Sequence, residues 1–185
     1  MFACKAPLPI AVLRAPVVLS SKAPSPTATL YDAGTAITSG DKNTFLGSYA
    51  GDATTTANYN TAIGYEALSL NTTGTQNTAV GGNSLDANTT GDYNTAVGYD
   101  ALGANTTGEY NSAFSRYALR YNTTGSENTA LGQGALAANT TADNNTAVGW
   151  HALVANTGTS NVAVGKGALK TNTTAGYGVA VGREA

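Results

Sequence analysis

Two stretches carry the glycine spacing that opens a dinucleotide-binding loop, Gly132-Gln133-Gly134-Ala135-Leu136-Ala137 and Gly165-Lys166-Gly167-Ala168-Leu169-Lys170. That chemistry needs a strand before the glycines and a long helix after them, with the pyrophosphate held at the helix N-terminus. No helical run follows either stretch, and both are ordinary copies of a repeat. His151, the only histidine, stands beside Trp150 with no nucleophile or orienting carboxylate at a fixed spacing. It is read as a solvent-facing or ligand-touching residue rather than a general base. The acidic residues are scattered and match no calcium-loop spacing. Cys4 stands alone, so neither an intramolecular disulfide nor a thiolate metal site can be built. No enzyme, catalytic residue, metal or cofactor is expected.

Charge narrows the partners. Of 185 residues only 11% are charged, and the net charge is −2. Without a Lys/Arg cluster to release counterions, binding to nucleic acid is not expected. No apolar run approaches the length of about 18 residues that a bilayer-spanning helix requires, so membrane insertion is not expected either.

What the chain does contain is repetition, which governs any further reading. The Asn of Asn-Thr-Ala-Val-Gly or its variants recurs at Asn43, Asn60, Asn77, Asn94, Asn111, Asn128, Asn145 and Asn161, and Gly178 takes its place in a last, incomplete copy. The step is 17 residues throughout except for 16 between Asn145 and Asn161. Residues 1–25 differ: Pro7, Pro9, Pro16 and Pro24 with Lys5, Arg14 and Lys22 make a basic, acid-free segment, read as an extended arm or a leader. A worn first copy starts at Pro26, so that residues 26–185 make about nine repeats.

The elements that position these residues are short strands. Thr-Ala-Val-Gly is β-branched and closed by Gly. A helix would need apolar residues at three- and four-residue steps, which Asn, Thr and Gly interrupt. A second short strand is expected at Ala67-Leu68, Ala101-Leu102, Ala135-Leu136 and Ala152-Leu153. The return turn is expected at Asn-Thr-Thr-Gly, where Asn and Gly tolerate positive φ. One unit is then one turn of an all-β parallel solenoid, and nine turns at about 4.8 Å make a rod of about 43 Å. One Val and one Leu buried per turn cannot offset the entropy of ordering the turn. Because Ala and Val point to opposite faces, one face is expected to fill the coil and the other, lined by small residues, to pack against further copies in a homo-oligomer, most simply three-fold.

Asn60, Asn77, Asn94, Asn111, Asn128, Asn145 and Asn161 are candidates for a ladder of stacked amides that holds register. Asn71, Asn88, Asn105, Asn122, Asn139 and Asn172 each begin Asn-Thr-Thr, which also satisfies the N-glycosylation sequence. Rows of Thr at the strand repeat could serve an ice- or surface-binding plane, although adjacent Thr72 and Thr73 would face opposite ways. Tyr59, Tyr65, Tyr93, Tyr99, Tyr110 and Trp150 recur at few repeat positions, so stacking brings them into rows that either contact sugar rings or a protein partner, or pack the seam between chains.

The pattern Thr-Thr-Gly-x-x-Asn-Thr-Ala-Val-Gly-x-x-Ala-Leu resembles the head repeats of trimeric autotransporter adhesins (YadA-like heads) and similar repeats in phage tail-fibre proteins, over about residues 26–185. The resemblance implies a left-handed parallel β-roll, three chains wound side by side, and display outside the cell, on its surface or on a virion. The family's usual unit is shorter and reads Asn-Ser-Val-Ala-Ile-Gly. No heptad stalk or membrane-anchor barrel is read in the chain, so anchoring is not carried over. The expected function is that of an adhesive or fibre-forming head, with host-surface glycan or protein as partner. An ice-binding solenoid and a subunit polymerising end to end through Arg183–Ala185 are the alternatives.

Overall fold

A computed structural model describes residues 33–185; the proposed arm or leader and the start of the worn first copy lie outside them. The described chain is a parallel β-solenoid with no helix. Each turn contributes one three-residue strand: β1 Thr44–Leu46, β2 Thr61–Ile63, β3 Thr78–Val80, β4 Thr95–Val97, β5 Ser112–Phe114, β6 Thr129–Leu131, β7 Thr146–Val148, β8 Val162–Val164 and β9 Val179–Val181. They form a single parallel sheet in sequence order, with every residue opposite its repeat equivalent, as in Thr61↔Thr78, Ala62↔Ala79 and Ile63↔Val80. The short step is absorbed in a turn, because β7 and β8 stay in register, Thr146↔Val162. Eight steps between nine strands span about 38 Å.

There is one strand per turn, not two. Ala67 and Leu68 are adjacent yet both wholly buried, which the alternation of a strand forbids. Leu68 turns inward because its backbone is left-handed, φ 54°, as is that of Glu66, φ 52°. The same conformation recurs at Leu85, Leu102, Leu119, Leu136 and Leu153. A left-handed non-glycine residue costs about 1–2 kcal/mol, whereas burying a leucine side chain returns about 1.5–3 kcal/mol, so the corner holds. Positive φ is therefore found at these corners and at Tyr59, Tyr93 and Tyr110, not at Asn71 or Gly74. Asn71 closes its turn with its side chain, Nδ2 donating to the Gly74 carbonyl at 2.9 Å.

The inner and outer residues of the strand are also reversed from expectation. Ala62, Ala79, Ala96, Ala113, Ala130, Ala147 and Ala163 are fully buried and line the coil with the leucines. The flanking Thr and Val point out, half-buried or exposed. The interior is therefore narrow, and adjacent turns approach closely at the Gly after each strand. A Cβ on Gly64 would lie 2.5 Å from the Gly81 carbonyl oxygen.

Two columns of asparagine run inside the coil. In the first, the backbone N–H of each strand-preceding Asn donates to the Oδ1 of its equivalent one turn earlier, from Asn60 on Asn43 through Asn161 on Asn145, at 2.9–3.1 Å. In the second, Nδ2 donates to Oδ1 of the preceding turn, as in Asn88 to Asn71 and Asn105 to Asn88, both 2.9 Å. The columns meet on one carbonyl per turn: Gly108 O accepts from Asn94 Nδ2 at 2.8 Å and Asn105 Nδ2 at 3.0 Å. These amides satisfy backbone groups that would otherwise be buried without partners.

Candidate functional site

The outer face of the sheet is built by the strand pattern itself. Thr61, Thr78, Thr95, Ser112, Thr129 and Thr146 stand opposite one another in one rank. Two residues on, Leu46, Ile63, Val80, Val97, Phe114, Leu131, Val148, Val164 and Val181 make a second rank, apolar over all nine strands. Its members point outward, half-buried at Val80, Val97, Val148 and Val164 and open to solvent at Leu46 (52%), Leu131 (49%) and Val181 (72%). An unbroken apolar rank on the outside of a coil is unusual, since such side chains bury where they can.

Aromatic residues bracket this face along the chain. Tyr59, Tyr93 and Tyr110 precede the buried Asn at the start of their strands, and Tyr65, Tyr99 and Trp150 follow the Gly at the end of theirs. All six are exposed. Neighbouring turns bring only Tyr93 and Tyr110 of the six face to face, ring centroids 4.8 Å apart and planes 4° apart, because Gln76 separates Tyr59 from Tyr93. Tyr65 instead meets Tyr49 edge-on at 6.1 Å, and Tyr99 meets Tyr117 at 5.9 Å. A hydrogen bond to Glu66, followed by that group's charge, raises the Tyr65 phenol above its ordinary value. Trp150 stacks on His151 at 3.8 Å, with the Lys166 ammonium 5.0 Å from its ring. That packing accounts for the lone histidine.

The seven asparagines at the strand starts, Asn60 to Asn161, sit inside the coil and not on a surface. Of the Asn-Thr-Thr asparagines, Asn71, Asn88, Asn105, Asn122 and Asn139 are fully buried with Nδ2 engaged, closed to modification, whereas Asn172 is half-buried, its Nδ2 donating to Asn156 Oδ1 and to the Ala175 carbonyl. Thr72 turns its hydroxyl to the Thr89 carbonyl at 3.0 Å, while Thr73 is exposed. The turn therefore exposes one threonine per repeat, as at Thr90, Thr107 and Thr124, apart from the mostly half-buried threonine rank on the strands.

Sequence reasoning missed a cluster around β5. Arg116 occupies the place of Tyr65 and Tyr99, and its guanidinium carbon lies 4.3 Å from the Tyr117 ring centroid. Arg120 lies 4.4 Å from the same ring and 5.0 Å from that of Tyr121, with Nε 2.7 Å from Asp100 Oδ2. Its signal was present in the sequence as two arginines in one copy of a chain with nine basic residues.

Among the described residues no three His, Cys, Asp or Glu side chains converge on a metal position, and no helix is long and apolar enough to cross a membrane. A recess of about 700 Å³ lined by Leu169, Lys170, Asn172, Glu184 and Ala185 is the end of the coil interior beyond Leu169. Comparison with family models, curated proteins and solved structures finds no match for this chain.

Proposed function

We propose that the protein is a non-enzymatic structural repeat protein, the head or shaft of an extracellular or virion fibre, in which three copies associate along their apolar ranks and present the aromatic positions to a partner. The observation that carries this reading is the row from Leu46 to Val181, apolar on every strand and facing outward. A row with one side chain per turn at about 4.8 Å is best matched by another row of the same pitch, which a second copy supplies. Lateral association of this kind also provides the burial that a narrow Ala-lined coil lacks. The left-handed winding and the YadA-like kinship drawn from the repeat pattern belong to the same proposal.

Sedimentation equilibrium tests it. The 18.5 kDa chain should sediment as a trimer, and placing Asp at Val80, Val97 and Val148 should release monomers. A folded wild-type monomer at micromolar concentration would refute the assembly.

The threonine rank favours a second reading, an ice-binding face. Thr61, Thr78, Thr95, Thr129 and Thr146 present hydroxyl and methyl groups at the strand repeat, each beside an apolar neighbour on the same face. Thermal hysteresis that disappears when Thr95 and Thr129 are replaced by Lys would support it, and none at millimolar protein would remove it.

A further inference from the structure

We propose that the turn carrying β5 holds a site for a carboxylated sugar ring, formed by Arg116 with the ring of Tyr99. The proposal rests on the reading of the rod as a display surface and assigns a ligand class to one place on it.

The turn departs from its neighbours in a concerted way. The residue after the strand is Gly at Gly47, Gly64, Gly81, Gly98, Gly132, Gly149, Gly165 and Gly182, with φ between 129° and 140°; among the nine described strands only β5 is followed by a side-chain-bearing residue, Ser115, held at φ 114°. Strained backbone of this kind persists where the surroundings demand it and clusters at functional positions. Next to Ser115 the chain places Arg116, and within the same copy Tyr117, Arg120 and Tyr121.

The charges within the cluster are unequally satisfied. Arg120 is paired with Asp100 at 2.7 Å. Arg116 has no carboxylate partner among the described residues; its Nη2 donates to the Tyr117 hydroxyl at 2.7 Å, and its guanidinium carbon is 5.9 Å from the Tyr99 ring centroid. The Tyr117 ring lies against both guanidinium groups, so Arg116 is held in place while the rest of its donor fork remains exposed. Tyr99 is 51% exposed.

Chemistry selects the ligand. A guanidinium fork matches a planar carboxylate with two parallel hydrogen bonds, and exposed tyrosine faces receive the C–H face of a pyranose. A polyanion is a poor fit, since a chain of net charge −2 offers no extended basic field. An extended peptide cannot add to this sheet as a strand, because β5 is already paired on both sides, with β4 and β6.

Calorimetry on the full chain tests the site with four probes: oligosaccharides ending in a uronic acid or a sialic acid, the same sugars with the carboxylate reduced to an alcohol, sulfated analogues, and an acidic peptide. At least one carboxylated sugar should bind; its reduced form and the Arg116→Gln variant should each bind at least tenfold more weakly, and Tyr99→Ser should also weaken it. Arg116→Lys should recover only part of the affinity, because it keeps the charge and loses the fork. The arm that binds, uronic or sialic, names the source. No binding of either carboxylated sugar, equal binding of the reduced forms, or preference for sulfated sugar or peptide would each overturn the proposal. Sedimentation of the same samples separates the two readings: a trimer that binds no sugar ends this inference alone, and a monomer that binds it ends the assembly alone.

Discussion

Asn139 and Asn156 hold equivalent places in neighbouring turns, yet their amides do not meet: Asn156 Nδ2 donates to the Gly158 carbonyl at 2.6 Å, and Asn139 Oδ1 is buried with no partner. At the other rungs of this column the gap is closed at 2.8–2.9 Å. The cause is the short step, in which Asn156-Thr157-Gly158 lacks one Thr of the usual Asn-Thr-Thr-Gly. The deletion leaves the sheet in register and breaks the inner column instead.

Inserting a Thr between Thr157 and Gly158 should therefore stabilise the protein. Satisfying a buried orphan acceptor is worth about 1–3 kcal/mol. The midpoint of chemical unfolding should rise; an unchanged or lower midpoint would show that the coil has already adapted to the short turn.

The other end of the column makes the same point. Thr54 occupies a ladder place, and its Oγ1 is buried without a partner. Thr54→Asn should offer Oδ1 to Asn71 Nδ2 and donate to the Ala57 carbonyl, extending the column by one turn. A gain of about 0.5–1.5 kcal/mol in denaturant unfolding is the expected outcome.

How far the sequence reveals this architecture differs from feature to feature. The period is legible because stacked turns must match residue for residue, so the 17-residue step announces the coil and Thr-Ala-Val announces the strand. The face of the strand is legible too, though by a route the hydrophobic pattern conceals. Residues two apart share a face, so a buried Asn60 commits Ala62 to the interior and Ile63 to the outside. The Val-sized residue looks like the core and is not. The Ala-Leu corner is not legible, because a left-handed leucine is unfavourable on its own and is held only by the burial that stacking provides. The β5 cluster joins Tyr99 and Asp100 of one turn to residues 116–121 of the next, so it exists only once the turns are superposed.

Ser115 carries the cost of its conformation in the folded state. Ser115→Gly should raise stability by about 1–3 kcal/mol, the range for a residue held outside its allowed backbone regions. A thermal shift assay reads this directly, and a lower melting temperature would mean that the serine side chain contributes more than its backbone costs.

Asp86 should make stability depend on pH. Burial, the largest cause, raises its carboxyl above the ordinary 3.8, with the charge of Asp100 adding to the effect and a hydrogen bond from Asn83 opposing it. The native state then holds the proton more tightly than the unfolded chain, so this group's contribution is most favourable below 3.8 and is lost as pH rises through the raised value. Asp86→Asn should melt higher than wild type at pH 7, and the difference should vanish in the acid range below the ordinary carboxylate value.

The association of copies along the apolar rank is tested most directly by distance. In a Cys4→Ser background, a spin label on Val97→Cys should give one narrow inter-chain distance by pulsed dipolar spectroscopy. That distance should be shorter than the one from a label on Thr107→Cys, in the exposed Asn-Thr-Thr turn. No dipolar coupling at position 97, or a longer distance there than at 107, would contradict the account.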